Sequence, residues 1–95
     1  MLDELRARFK QRFIETARAR IARTRSVDGD MGTAASEMHG LAGEAALLEY
    51  AECAKLARAA EGHARAGEGR KCKEVVDDLE AAVDGLAESG GRSAE

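Results

Sequence analysis

Not one proline interrupts the 95 residues of this chain, and that absence narrows the fold more than any residue present. Proline ends or kinks helices, because its ring clashes with the preceding turn and its nitrogen has no hydrogen to donate. Alanine, leucine, arginine and glutamate fill the sequence instead, and all four are strong helix formers. The chain is predicted to be all-α.

The apolar residues give the number of helices. Leu2, Leu5, Phe9, Phe13, Ala17 and Ile21 recur every three or four residues, a stripe on one long helix or two abutting ones. Ser26-Val27-Asp28-Gly29-Asp30 ends it, and Asp30 or Thr33 can cap the next helix by accepting a backbone N–H bond. On that second helix Met38, Leu41, Ala45 and Leu48 share a face. A third helix is expected from Tyr50 to Ala66, burying Cys53, Leu56, Ala57 and Ala60, with Gly67-Glu68-Gly69 closing it. Cys72, Val75, Val76, Leu79, Val83 and Leu86 form the cleanest stripe, although Gly85 costs its helix roughly 1 kcal/mol relative to alanine. Four segments with short connections predict an antiparallel up-down four-helix bundle. It forms one domain over residues 1–88, and 89–95 is expected to be a flexible tail. No single helix buries enough to be stable alone, so packing of the stripes must hold the fold.

Several function classes fall away. No segment approaches the roughly 18 apolar residues needed to cross a bilayer, and Met1-Leu2-Asp3-Glu4-Leu5-Arg6 lacks the apolar run of a secretory signal. Cys53 and Cys72 form no CxxC pair and read as free, reduced core thiols of a cytoplasmic protein. There is no P-loop, HExxH or GxSxG. His39, His63, Cys53 and Cys72 include no local pair at metal-ligand spacing, so no metal site is expected. Residues 1–25 hold eight Arg/Lys against three acids, whereas the remainder is acidic. A basic first helix could meet nucleic acid, but with few aromatics and an acidic remainder it reads as a solvated face.

His39 stands out from this background. It lies in Ser36-Glu37-Met38-His39-Gly40-Leu41-Ala42-Gly43-Glu44-Ala45-Ala46, a run of mostly small residues. At 100° per residue it sits well over 90° from the centre of the Met38/Leu41/Ala45/Leu48 stripe, and so should face outward. Ala35, Ser36, Ala42 and Gly43, one turn either way, leave the ring unobstructed. An exposed imidazole near neutral pH has a free ring nitrogen able to attack phosphorus.

His39-Gly40-Leu41-Ala42-Gly43, then Ala45-Ala46, Leu48, Cys53, Leu56 and Glu61, together resemble the histidine-containing phosphotransfer (HPt) domains of two-component phosphorelays. The Phe9, Phe13 and Ile21 stripe is similar to that family's first long helix, and the resemblance spans residues 5–88. It implies a phosphocarrier without kinase activity of its own. His39 would accept a phosphoryl group from a receiver aspartate or a kinase and pass it to another receiver aspartate, with attachment at Nε2. The implied partners are response-regulator receiver domains or a hybrid histidine kinase, docking over Ser36, Gly40, Ala42, Gly43 and Ala46. Mg²⁺ would sit on the receiver, and the chain would need no cofactor. Neither nucleic acid nor membrane is an expected partner, a monomer is expected, and the start at Met1 favours a stand-alone protein.

The chain departs from the family pattern at three positions. Ala42 stands where the family usually has Lys or Arg, Glu49 where it has a turn glycine, and Glu44 where a small residue is common. Arg18, Arg20 or Arg25 of the first helix is expected to substitute for the missing cation. The alternative is a degenerate HPt-like module that binds receiver or kinase domains without being phosphorylated. His63-Ala64-Arg65-Ala66-Gly67 is a loose echo of the motif; without leucine at plus two, His63 reads as a boundary residue at the end of the third helix.

Overall fold

A computed structural model describes residues 2–26 and 30–92, all helical apart from two short turns and the residue that opens the second helix. Four helices follow one another: α1 (Leu2–Ser26), α2 (Met31–Leu47), α3 (Ala51–Arg65) and α4 (Gly69–Arg92). Each packs on its neighbours in sequence, and α4 closes the ring against α1. The result is the up-down four-helix bundle expected from the stripes, elongated at 44 × 20 × 19 Å. The core runs from Phe13, Ile14, Ala17 and Ile21 of α1 to Cys72, Val76, Leu79 and Val83 of α4. Between them, the buried positions of α2 and α3 are mostly alanine, with Met38 and Leu41 the largest fully buried side chains. Cys53 and Cys72 are buried and unpaired, and burial pushes both thiols up from their ordinary range.

Helix length explains where the sequence pattern overreaches. At 1.5 Å per residue, 25-residue α1 and 24-residue α4 outrun α2 and α3, which have 17 and 15 residues. Leu2, Leu5 and Phe9, on the first half of the α1 stripe, are therefore exposed, and burial begins at Phe13. At the other end α4 continues as helix through Arg92, into the stretch expected to be tail. Residues 93–95 of that tail and 27–29 of the first turn lie outside the described residues.

The turns are built from capping chemistry. Asp30 caps α2, its carboxylate accepting from the Thr33 backbone N–H at 3.2 Å and from the Thr33 hydroxyl at 2.8 Å. Those bonds hold the Asp30 carboxyl below its usual range. Helix α3 closes with two reversed bonds, Glu68 N–H to His63 C=O and Gly67 N–H to Ala64 C=O, with Gly67 at φ 74°. This is a Schellman motif, and glycine supplies the left-handed residue without steric cost. Helix α2 closes in the same way, Tyr50 N–H to Ala45 C=O and Glu49 N–H to Ala46 C=O. Here the left-handed residue is Glu49, at φ 64°. The motif is retained although a Cβ disfavours that conformation by about 1–2 kcal/mol. Tyr50 then packs its ring on Phe13 with centroids 5.0 Å apart, fixing the turn against α1.

Glu49→Gly should therefore stabilise the bundle by about 0.5–1 kcal/mol, the strain relieved exceeding the added freedom of the unfolded chain. Urea unfolding would show a higher midpoint at unchanged slope. An equal or lower midpoint would mean that Glu49 carries no strain.

Candidate functional site

His39 lies midway along α2 on the face turned from the core, and its side chain is 74% exposed. The helix phase predicted this orientation. Opposite it, Glu61 projects from α3, and its Oε2 lies 3.1 Å from Nδ1 of His39. Arg65, one turn further along α3, donates to that same oxygen from Nε at 2.9 Å and from Nη2 at 2.6 Å. The Glu61 side chain is only 16% exposed, so this oxygen gathers an imidazole and a guanidinium at a sheltered point between two helices.

Protonation follows from these contacts. Arg65 holds the Glu61 carboxyl below the usual carboxylate range; burial opposes this, and the His39 ring adds to the lowering. Glu61 is therefore a carboxylate at neutral pH, and a carboxylate can only accept hydrogen bonds. Nδ1 of His39 must be the donor. In the neutral ring the lone pair then resides on Nε2, away from Glu61.

The small residues expected to receive a partner divide into two groups. Ser36, Gly43 and Ala46 are exposed on the His39 side of α2, and a Cβ added at Gly43 would meet nothing within 4 Å. Ala42 does not join them. It is 4% exposed, because three residues' advance rotates it about 60° from His39 toward the core arc that holds Met38 and Ala45. Gly40 is not open either, since it faces α1 beneath Arg20. A Cβ there would come within 2.6 Å of the guanidinium. Leu47, 84% exposed and two turns beyond His39, shares its side of the helix. Leu47 falls outside the Met38/Leu41/Ala45/Leu48 stripe, and that helical phase is the signal that turns it outward.

Arginines of the first helix pair with acids of α2 and α4. Arg18 pairs with Asp84, and Arg25 with Asp77 and Glu80, all on α4. Arg20 lies across α2 between Glu37 at 3.0 Å and Glu44 at 3.2 Å, and Arg23 also engages Glu37. Arg23 first, and Arg20 with it, hold the Glu37 carboxyl below its usual range against burial. Glu44, whose charge stood out in the motif, is thus matched by Arg20. The basic side chain beside His39 is Arg65. A groove of about 590 Å³ between the first half of α2 and the end of α3 is lined by His39 and Arg65 together, with Ser36 and Ala35 on its α2 wall. His63 is separately engaged, its Nδ1 2.9 Å from Glu68 across the α3–α4 turn, as suits a boundary residue. Among the described residues no three metal-ligating side chains converge, and no helix is long and apolar enough to cross a membrane.

The family model of the Hpt domain matches residues 8–89. The chain belongs to the Hpt domain family. It is a phosphotransfer module of two-component signalling, of the kind that works with receiver domains and histidine kinases. No curated protein and no solved structure matches it. Three positions after the exposed His39 this Hpt domain carries an uncharged, buried alanine, Ala42.

The carboxylates make the bundle acid-sensitive in a defined direction. Glu61 and Glu37 have folded pKa values below their unfolded ones, so their stabilisation is present above the ordinary carboxylate range, about pH 4, and is lost as pH falls through the lowered values. Glu61→Gln should lose stability at neutral pH and show a flatter decline in urea midpoint between about pH 5 and pH 3 than the parent. Parallel declines in the two proteins would show that Glu61 carries no such linkage.

Proposed function

We propose that this Hpt domain is a phosphocarrier in which Nε2 of His39 takes a phosphoryl group from a receiver aspartate or a kinase and passes it to another receiver aspartate. The observation that carries this reading is the ionised Glu61 on Nδ1, which leaves the exposed Nε2 with the lone pair. In the forward step that lone pair attacks phosphorus of an aspartyl phosphate. The N–P bond forms as the P–O bond to the aspartyl carboxylate breaks, and the carboxylate leaves with the bonding pair. The proton remains on Nδ1, hydrogen-bonded to Glu61, whose negative charge offsets the positive charge the ring acquires. No proton has to leave the site, and the reverse sequence returns the group to a second aspartate.

The divalent cation and the acidic pocket belong to the receiver in this reading, so the domain needs no cofactor and has no kinase activity of its own. Ser36, Gly43, Ala46 and Leu47 offer a low surface around His39 for the incoming domain. The pairing of Glu44 with Arg20 supports the carrier over the degenerate module, because that carboxylate is not left free to repel a phosphoryl group. We place the protein in the cytoplasm as a monomer, where two buried unpaired thiols stay reduced.

Incubation with radiolabelled phospho-receivers tests the proposal. Label should appear on the wild-type domain, survive base but not acid, and be absent from His39→Gln. Stable binding of receivers with no label transferred from any of them would favour the degenerate module.

A further inference from the structure

A phosphoryl group on Nε2 places up to two negative charges beside a helix whose nearest acid, Glu61, is itself ionised. That arrangement needs a cation, and the position three residues after His39 is an alanine buried in the core. The first-helix arginines nearest α2 and α4 are already paired: Arg18 and Arg25 with α4, Arg20 and Arg23 with Glu37 and Glu44. Arg65 is the basic residue that shares a wall-to-wall groove with His39.

We propose that Arg65 is the phosphoryl-binding cation of this domain, its guanidinium reaching from the Glu61 oxygen it shares with His39 to the oxygens of a phosphoryl group carried on Nε2. The inference rests on the phosphocarrier reading and adds a residue from a different helix to it. His39 Nδ1 and Arg65 Nη2 contact one oxygen, so they are at most two hydrogen-bond lengths apart. Nε and one hydrogen of Nη2 are used on Glu61, and a guanidinium has five N–H donors, so three remain for phosphoryl oxygens. The side chain is 61% exposed and, among the described residues, is tethered only by its bonds to Glu61, so it can turn without disturbing the core. The acid one turn before the base on α3 is also the orientation that favours such a pair.

The role has two parts. Arg65 neutralises Glu61, so an incoming phosphoryl group meets a neutral pair rather than a carboxylate. It also offers a planar fork of donors, the geometry that suits phosphate. Loss of Arg65 removes both at once and leaves the Glu61 charge opposed only by the His39 ring.

The test uses phosphoramidate as a small donor that needs no receiver, with wild type, Arg65→Ala, Arg65→Lys, Glu61→Gln and the Glu61→Gln/Arg65→Ala double variant. Arg65 is exposed, and circular dichroism would confirm that each variant is folded. Phosphorus NMR then reads the titration midpoint of the group on His39, with His39→Gln identifying its signal. The midpoint should rise by about half a pH unit in Arg65→Ala, because the dianion loses its cation, and return most of the way in Arg65→Lys. Transfer to a phospho-accepting receiver should slow about tenfold in Arg65→Ala. The rise must persist when Arg65→Ala is made in the Glu61→Gln background; if it vanishes there, Arg65 acts only by positioning Glu61 and the proposal is overturned. Equal midpoints in wild type and Arg65→Ala overturn it while leaving the carrier intact. Failure of wild-type His39 to take phosphate from phosphoramidate or from any phospho-receiver overturns the carrier reading and this one with it.

Discussion

The close approach of α2 and α3 is the constraint on which the site depends. Their buried positions are mostly alanine: Ala34, Ala35, Ala42 and Ala45 on one helix, Ala54, Ala57, Ala60 and Ala64 on the other. Helices packed through such short side chains can settle at the near end of the usual 8–10 Å separation. Only then does a glutamate rooted on α3 reach the ring of a histidine that points away from the core of α2. Larger residues on this seam would widen it and draw Glu61 away from Nδ1. The packing therefore does chemical work at a distance from the reacting nitrogen, by deciding which helix face Glu61 can touch.

Charge is arranged on the same plan. The sequence separates a basic first helix from an acidic remainder, and the structure folds the one onto the other. Arg18 and Arg25 bridge to α4, while Arg20 and Arg23 bridge to α2. Exposed pairs such as Arg18–Asp84 add little stability individually, at most about 1 kcal/mol and often less. The Arg20 pair is different in kind, because Gly40 lets the guanidinium lie flat across α2 between two acids. It removes a negative charge from the surroundings of His39 and ties α1 to the helix that carries the histidine.

Much of this was legible in the sequence, for reasons that also mark where it was not. Helical period placed His39 outward and set α3 within a residue of its observed ends, because those are properties of a single helix. The same arithmetic turns Ala42 inward, although the motif, as a strip of small residues, points it to the docking surface. The stripe through Leu2, Leu5 and Phe9 named a face without saying how much of it a partner helix would cover; that depends on the lengths of α2 and α3. Which arginine stands by His39 is a tertiary fact. The sequence points to Arg18, Arg20 or Arg25 of the first helix, and only the packing of α3 on α2 brings Arg65 to His39. In the sequence Glu61 is only the last position of a pattern, and its contact with His39 spans two helices.

The proposed chemistry turns on the proton of His39. A long-range proton–nitrogen correlation spectrum of the labelled domain at neutral pH, with His63→Gln used to assign the second ring, reads the tautomer directly. A protonated Nδ1 and a bare, pyridine-type Nε2 are expected in the neutral ring. A proton on Nε2 with Nδ1 bare would mean that Glu61 does not set the tautomer, and the proposed nucleophile would be the wrong nitrogen.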